Sequence, residues 1–537
     1  MLPPAVQDGQ LQSRKRLTRL FGRVRAAMII SNILPRVTYF QIQWEAVKMP
    51  RSFARFLVLV IMGTLSASAQ TRPSSTPVAP AASSAQSPAA AGFDLPKLQS
   101  EAVLWLQGLI RINTSNPPGN ELVAAKYLAD ILKNEGIASE IFETTPGRGF
   151  LVARLSSSAV PDPSRALLLM GHLDVVGVDK KKWTVDPFAA VMKDGYMYGR
   201  GTIDDKGMTI ANVAVMVALK RSSARLNRDV ILLAEGDEEA GGAEGMKVVV
   251  EKHWDKIAAG YSINEGGDVV LKNGKVQYVG VQASEKVSFA IDVIATGTSG
   301  HGSIPRKDNP VEHLAVAIGK IGAFETPVQL NSITHAYFEG LSKIEDEETG
   351  KWMRALEESD RADHAARWIS NASPIWNSML RDTIAPTMLQ AGIRRNVVPS
   401  EARGVINIRL LPGNMLSPLL AKLGQLVDDP QIRFEEEGGS GQSAPSSSVT
   451  SDLYNTIASV AGREFPGATL VPEMSTGATD SALLRMRSVQ AYGVDPFPLE
   501  EADRLRMHAD DERIPLESFR KGVDFLYNIV TAFAVAK

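Results

Sequence analysis

The stretch "EGDEEAGG", residues 235–242, sets Asp237, Glu238 and Glu239 in a row directly after the apolar run 230–234. Carboxylates gathered at the end of a buried strand repel one another unless a cation neutralises them or one keeps its proton. With a cation present, one acid can hold it while its neighbour moves protons at an activated water. Without one, the stretch is a solvated acidic turn. Two further segments offer similar side chains. In "GHLDVV" (171–176), His172 stands two residues before Asp174, so the carboxylate can accept the second ring N–H of a metal-bound imidazole and fix its tautomer. A plain turn carrying a His and an Asp is the alternative. In "GRGTIDDKG" (199–207), three glycines let the backbone run close to a ligand. Asp204 and Asp205 there precede a helix, either as an N-cap and its neighbour or as a carboxylate aimed at a cation.

These residues need elements to hold them. Apolar side chains recur with helical spacing over 98–109 and 121–135, and strands are expected at 166–170 and 230–234 around a helix at about 207–220. Short, wholly apolar strands separated by helices predict an α/β fold whose mostly parallel central sheet is buried and flanked by helices. Such sheets carry function in the loops at the carboxyl ends of their strands. His172, the 237–239 acids and Glu265 of "INEGG" (263–267) all follow such ends.

The whole chain sets outer bounds. Its 537 residues suffice for two or three domains. A formal charge of −2 gives no basic field for nucleic acid, and the absence of cysteine excludes disulfides, thiolate ligands and a cysteine nucleophile. Near the N-terminus, Arg51 and Arg55 precede the apolar stretch 56–62, and Ala67-Ser68-Ala69 forms a small-x-small cleavage pattern. Residues 49–69 therefore read as a signal peptide starting at Met49, with 1–48 an extension upstream of the true start. An exported protein, periplasmic or secreted, is expected, membrane-anchored if the segment stays uncleaved and otherwise without a stable membrane span. Residues 70–92, rich in Ala, Ser and Pro, read as a tether without a core.

Taken together, "GHLDVV", "WTVDPF", "YGRGTIDDKG", "GDEEAGG", "INEGG", "GHGSIP", "NVVP", "RLLPG" and "MHADDERIP" resemble, in order from about residue 94 to the C-terminus, the co-catalytic dizinc metallopeptidase family. That family includes aminoacylase, carboxypeptidase S, glutamate carboxypeptidase and succinyl-diaminopimelate desuccinylase, and the likeness is greatest to the carboxypeptidase S branch. The resemblance implies that His172 and Glu265 hold one zinc, that Glu239 and His508 hold a second, and that Asp204 bridges them with a cis peptide to Asp205. Cobalt or manganese would also suit such a donor set. Asn264 stands where many members of that branch have Asp. Glu238 would be the general base, Asp174 the residue orienting His172, and His301 the donor to the oxyanion, often reaching a partner subunit's site.

The same resemblance implies a catalytic domain in two parts, 93–285 and 437–537, around an inserted α+β lid and dimerisation domain, 286–436. Its partner would be a second copy in a homodimer. The charge-rich segment 335–371 would form a solvated helical pair within that lid. Asn396, Arg409 and Gly477 resemble the elements that grip the substrate's carboxylate and backbone, although Arg409 alternates with apolar residues as a structural strand residue would. His253, His313, His335 and His364 match no motif and read as structural or surface residues. The expected reaction is hydrolysis of an amide next to a free carboxylate, in a C-terminal peptide or an N-acyl amino acid. A dipeptidase, a non-peptide amidase, a binuclear phosphoesterase and an inactive binding module are the alternatives.

Overall fold

The computed structural model describes residues 93–536 apart from 159, 438–440 and 442. The expected upstream extension, signal peptide and tether lie outside the described residues.

Side chains alternate between the two faces of a strand, so a strand that is apolar at every position must be covered on both. Strands Leu167–His172 and Val230–Glu235 obey this rule. Leu167, Leu169 and Leu232 join one buried cluster, whereas Leu168, Met170, Ile231 and Leu233 join another on the opposite face. Helices Leu95–Ile110, Glu121–Asn134, Lys206–Arg221 and Leu516–Ala534 cover the first face, contributing Leu106, Leu128, Val213 and Phe525 among others. The shorter helices Met246–Lys252 and Ser481–Met486 place Val249 and Leu484 on the second. Each such side chain, fully buried, contributes about 1.5–3 kcal/mol. Helix Lys206–Arg221 is buried nearly all round, as expected of an element enclosed within the layers.

The large sheet has ten strands. At its centre Val230–Glu235, Leu167–His172, Tyr261–Asn264 and Gln490–Gly493 run parallel, flanked by antiparallel pairs. His172 and Glu235 are direct partners in register, so the loops after these strands leave the sheet side by side. A second, four-stranded antiparallel sheet consists of Thr383–Ala391, Glu401–Leu410, Val287–Thr296 and Ile432–Glu437. Helices Pro310–Gly322 and Leu416–Val427 supply Leu314, Ile321 and Leu423 to its separate core. Only Lys286 separates strand Lys275–Glu285 of the large sheet from Val287–Thr296 of the small one.

The charge-rich segment differs from the expected solvated pair. It forms helices Ser332–Leu341, Glu347–Arg354 and Ala362–Ala372, and Ile333, Tyr337, Phe338, Leu341, Met353 and Ile369 join the large sheet's core cluster. The charges occupy the outward faces and the apolar residues the inward ones, which is amphipathic packing rather than free solvation. Asn331 caps the first of these helices, accepting from the Ile333 and Thr334 N–H groups at 2.9 Å each.

That helix lies so close to strand Thr469–Ser475 that a Cβ at Gly340 would come within 2.4 Å of Val471 Cγ1. Replacing glycine by alanine at an open helical site stabilises by about 0.5–1 kcal/mol. At position 340 the sign should invert, because β-branched Val471 cannot swing aside. Gly340→Ala should lose about 1–3 kcal/mol in urea unfolding, while Gly424→Ala, with nothing within 4 Å of its added methyl, should gain stability.

Candidate metal centre

His172 ends its strand with its ring fully enclosed, and backbone proximity makes this possible. A Cβ on the preceding Gly171 would sit 2.5 Å from Thr209 Oγ1 and 2.9 Å from Asp205 Oδ2. His172 Nε2 lies 2.9 Å from Asp204 Oδ1 and 3.5 Å from Glu265 Oε2. His508 Nε2 approaches the other oxygen of the same carboxylate, 2.8 Å from Asp204 Oδ2, and lies 3.2 Å from Glu239 Oε1. Two groups that could each hold a metal ion result, His172–Asp204–Glu265 and Asp204–Glu239–His508, and Asp204 is common to both. The Asp204–Asp205 peptide is cis.

Several buried groups hold these ligands in place. Asp174, itself fully buried, sits 3.4 Å from His172 Nδ1 through Oδ1 and accepts the backbone N–H groups of Glu238 and Glu239 at 3.3 and 3.2 Å. The Asp174 backbone carbonyl lies 3.0 Å from the same Nδ1, so one residue couples the imidazole to the acidic turn. Asp237 has a left-handed backbone and anchors that turn, accepting from Asn116 Nδ2 at 2.9 Å and from the Glu244 N–H at 2.8 Å, with Arg148 Nη2 2.9 Å away. Asn116 also donates to Asp174, and Arg148 also pairs with buried Glu121. Behind Asp204, the fully buried Glu512 accepts from the N–H groups of Gly201, Ile203 and Asp204 and pairs with Arg200 at 2.6 Å. Arg200 in turn donates to the carbonyls of His508 and Ala509.

Electrostatics match the crowding. His508 is pushed up to about 10 by its hydrogen bonds to Asp204 and Glu239. Burial opposes protonation of His172, but Glu265, Asp174 and Asp204 outweigh it and raise the ring well above the ordinary imidazole value. Asp204 is held low despite burial by the two rings. Glu238 is raised well above the usual carboxylate range by burial first and Glu265 second. Glu265 is raised by burial. The rings and Asp204 thus shift in opposite directions, each favouring charge on the other. Glu239 Oε1 is buried, and its polar neighbour, His508 Nε2 at 3.2 Å, makes no well-aligned hydrogen bond with it, a position that an ion would satisfy better. Carboxylate oxygens and imidazole nitrogens suit zinc, cobalt or manganese, so these residues fit a pair of such ions.

The geometry resolves three alternatives. The acidic turn is not solvated, since the Glu239 side chain is only 6 % exposed and Asp237 is buried. Asp205 occupies the N-cap position but does not cap with its side chain, which instead accepts the His172 N–H at 3.2 Å. Asn264 donates to Ser481 Oγ, and its neighbour Glu265 is the residue beside His172.

The remaining expected site residues stand apart. His301 is exposed, its Nδ1 2.7 Å from Ser303 Oγ, and Asn396 is exposed with its carbonyl accepting the Gly302 N–H. Arg409 is half-buried on its strand, donates to Asn407 Oδ1, and is depressed by burial. Gly477 is half-buried with its N–H on Ser475 Oγ. No hydrogen bond or ion pair among the described residues joins these four to the ligand groups. The four unassigned histidines also lie elsewhere: His253 against Phe142 and Phe150, His313 on Asp429, His335 on Glu357 and His364 on Trp352.

The sequence reading missed the roles of Asn116, Arg148, Arg200 and Glu512. The last two sit inside quoted motifs, and an Arg and a Glu flanking the candidate ligand positions were the available signal. Asn116 and Arg148 carry none, because their role arises only when distant segments meet.

Two cavities frame the centre differently. The larger, about 1120 Å³, borders none of the candidate ligands. A second, about 580 Å³, lies against Gly266 and Gly267, next to Glu265, and against Met507, next to His508. Adjacency to the chemistry makes the smaller one relevant.

The sequence model described as Peptidase family M20/M25/M40 matches residues 168–532. The chain is 27% identical over 376 residues to "Probable carboxypeptidase S-like 2" of Dictyostelium discoideum, covering 68% of this chain and 71% of that protein. It is 26% identical over 375 residues to "N-fatty-acyl-amino acid synthase/hydrolase PM20D1" of Homo sapiens, covering 69% and 74%. Its fold is similar to that of an M20 family metallo-carboxypeptidase, Sso-CP2, from Sulfolobus solfataricus, with a TM-score of 0.61 and 20% identity over 81% of this chain and 99% of that one.

The shared position of Asp204 leads to a measurable asymmetry. Asp204→Asn should lower bound metal at both groups, whereas His172→Ala and His508→Ala should each leave one ion. Plasma emission spectrometry of dialysed protein reads this as metal per chain, and equal loss in all three variants would contradict a shared carboxylate.

Proposed function

The chain belongs to peptidase family M20/M25/M40 and is a hydrolase, and from that premise we propose that it cleaves an amide bond next to a free carboxylate, in a C-terminal peptide or an N-acyl amino acid. The observation that carries this reading is the pair of ligand groups joined at Asp204 with Glu238 beside them. Its side chain is held by no hydrogen bond among the described residues, which leaves it free to exchange protons. The names of the Dictyostelium and human relatives point to the same two substrate types.

In this reading His172, Asp204 and Glu265 hold one ion and Asp204, Glu239 and His508 the other. When bound, two such ions supply Lewis acidity that acidifies water and polarises the amide carbonyl. Glu238 takes the proton from the attacking water and delivers it to the amide nitrogen as the C–N bond breaks, so the amine leaves neutral. Burial that raises Glu238 also couples it to the centre, since the positive charge of bound ions favours its ionised form. Asp174 keeps the His172 ring oriented through Nδ1.

His301, Asn396 and Arg409 would act when the smaller sheet meets a second copy, with His301 donating to the oxyanion and Arg409 binding the substrate carboxylate. Gly477 would approach the substrate backbone. The homodimer reading is supported by edge strand Thr383–Ala391, where Met388 and Leu389 are 53% and 62% exposed. Export is supported by the segment 49–69 and its small-x-small end, and N-terminal sequencing of the mature protein should begin at Gln70.

Chelator-sensitive amine release from N-acyl amino acids or blocked dipeptides tests the reading directly. Glu238→Gln should keep its metal and lose about 10²–10⁴-fold in kcat. Wild-type turnover that survives both chelation and this substitution would remove both the metal and the base from the account.

A further inference from the structure

The 580 Å³ cavity beside the centre has a composition that its size alone does not explain. Its volume falls within the range of sites that enclose a ligand of many atoms, larger than an acetyl group requires. Tyr278, Tyr337, Trp376 and Met379 give it apolar walls. Thr476 and Met507 bring it to the loops that carry Gly477 and His508. Set into these walls is Glu473, on strand Thr469–Ser475.

Glu473 Oε2 is buried and has no hydrogen-bond partner. Room for it exists because position 280 lacks a side chain, where a Cβ would come within 2.5 Å of that oxygen. Nearby Arg504 is already engaged, since its guanidinium forms a two-pronged ion pair with Asp268 and its Nε donates to Oδ1 at 2.9 Å. Lys272, the other cation at the cavity, is exposed to solvent. A substrate carboxylate placed inside would meet a neutralised guanidinium and a second acid. The cavity therefore offers the carboxylate-bearing half of an N-acyl amino acid no free buried cation, whereas its rings and methionines suit the acyl half.

We propose that this cavity receives the acyl side of the scissile amide, and that Glu473 is a specificity-determining residue selecting acyl chains that carry a hydrogen-bond donor, a hydroxyl or an amine. The inference rests on the amide-hydrolase reading and goes beyond it by assigning a substrate class to one wall. An orphaned acceptor is costly to leave unmade, so a ligand that satisfies it gains more than one that covers it with methylenes. Burial pushes the Glu473 carboxyl up to about 8, with Asp268 acting in the same direction and Arg504 against it. A hydroxyl can exchange hydrogen bonds with the neutral acid, and a neutral amine would take the carboxyl proton, leaving an ammonium paired with the Glu473 carboxylate.

The test compares N-octanoyl, N-(ω-hydroxyoctanoyl) and N-(ω-amino-octanoyl) derivatives of one amino acid as substrates of the metal-loaded protein. Calorimetric binding of the three free acids provides a readout independent of turnover. Wild type should prefer a donor-bearing chain by about tenfold in kcat/KM and in binding. Glu473→Leu should bring the ratios towards one. Glu473→Gln, which keeps an uncharged acceptor, should retain a preference for hydroxyl and lose one for amine, so the two variants separate the two donors. Thermal unfolding monitored by circular dichroism checks that each variant is folded. Equal ratios in all three proteins, or a wild-type preference for the plain chain, would overturn the assignment of Glu473 while leaving hydrolysis intact. Absence of any turnover would instead count against the hydrolase reading, and the binding ratios would still decide the subsite.

Discussion

Both oxygens of the Asp204 carboxylate face an imidazole, His172 from the carboxyl end of one strand and His508 from a loop more than three hundred residues later in the chain. Two ligand groups can share one residue only if that residue cannot turn, because rotation of the carboxylate would move both oxygens off their partners. Glu512 supplies the restraint by gripping the backbone on either side of Ile203, and Arg200 ties Glu512 to the carbonyls of the His508 loop. Asp204 and the distant histidine are thus positioned by one buried ion pair. Asp174 plays the matching part on the other side, joining His172 to the turn of Glu238 and Glu239.

Such a centre is expensive for a fold. Asp205, Glu235, Glu238 and Glu265 are all raised by burial, which means each loses favourable hydration in its charged form. The surrounding layers offset that cost. A sheet apolar on both faces and a helix enclosed nearly all round, Lys206–Arg221, surround the acids with side chains whose burial is each favourable by about 1.5–3 kcal/mol. Activity and stability pull against each other at these positions, as expected where function requires charge in an interior.

Local signals made the large sheet and the ligand groups legible. Wholly apolar runs at 166–170 and 230–234 required two covered faces, and acids placed directly after them required a cation or a proton. The helices 332–341 and 347–354 were harder, because their charges dominate the composition while their apolar residues fall on one inward face, that of 332–341 lying against strand Thr469–Ser475. Periodicity was the informative feature there, and mean composition concealed it. Asn116 and Arg148 could not be read at all. Each is an ordinary polar residue until residues 58 to 121 positions away in the chain come into contact, and no short-range pattern encodes such a meeting. His301, Asn396 and Arg409 mark a different boundary: motif likeness assigned them to substrate, while in one chain they lie on or near the smaller sheet without contacting the ligand groups.

The central claim is that one carboxylate serves two ions. Anomalous diffraction from crystals of the metal-loaded protein, collected at the edge of the bound metal, tests it most directly. The account predicts two peaks with Asp204 between them, His172 and Glu265 on one and Glu239 and His508 on the other. A single peak, or two peaks with Asp204 bound to only one, would contradict it.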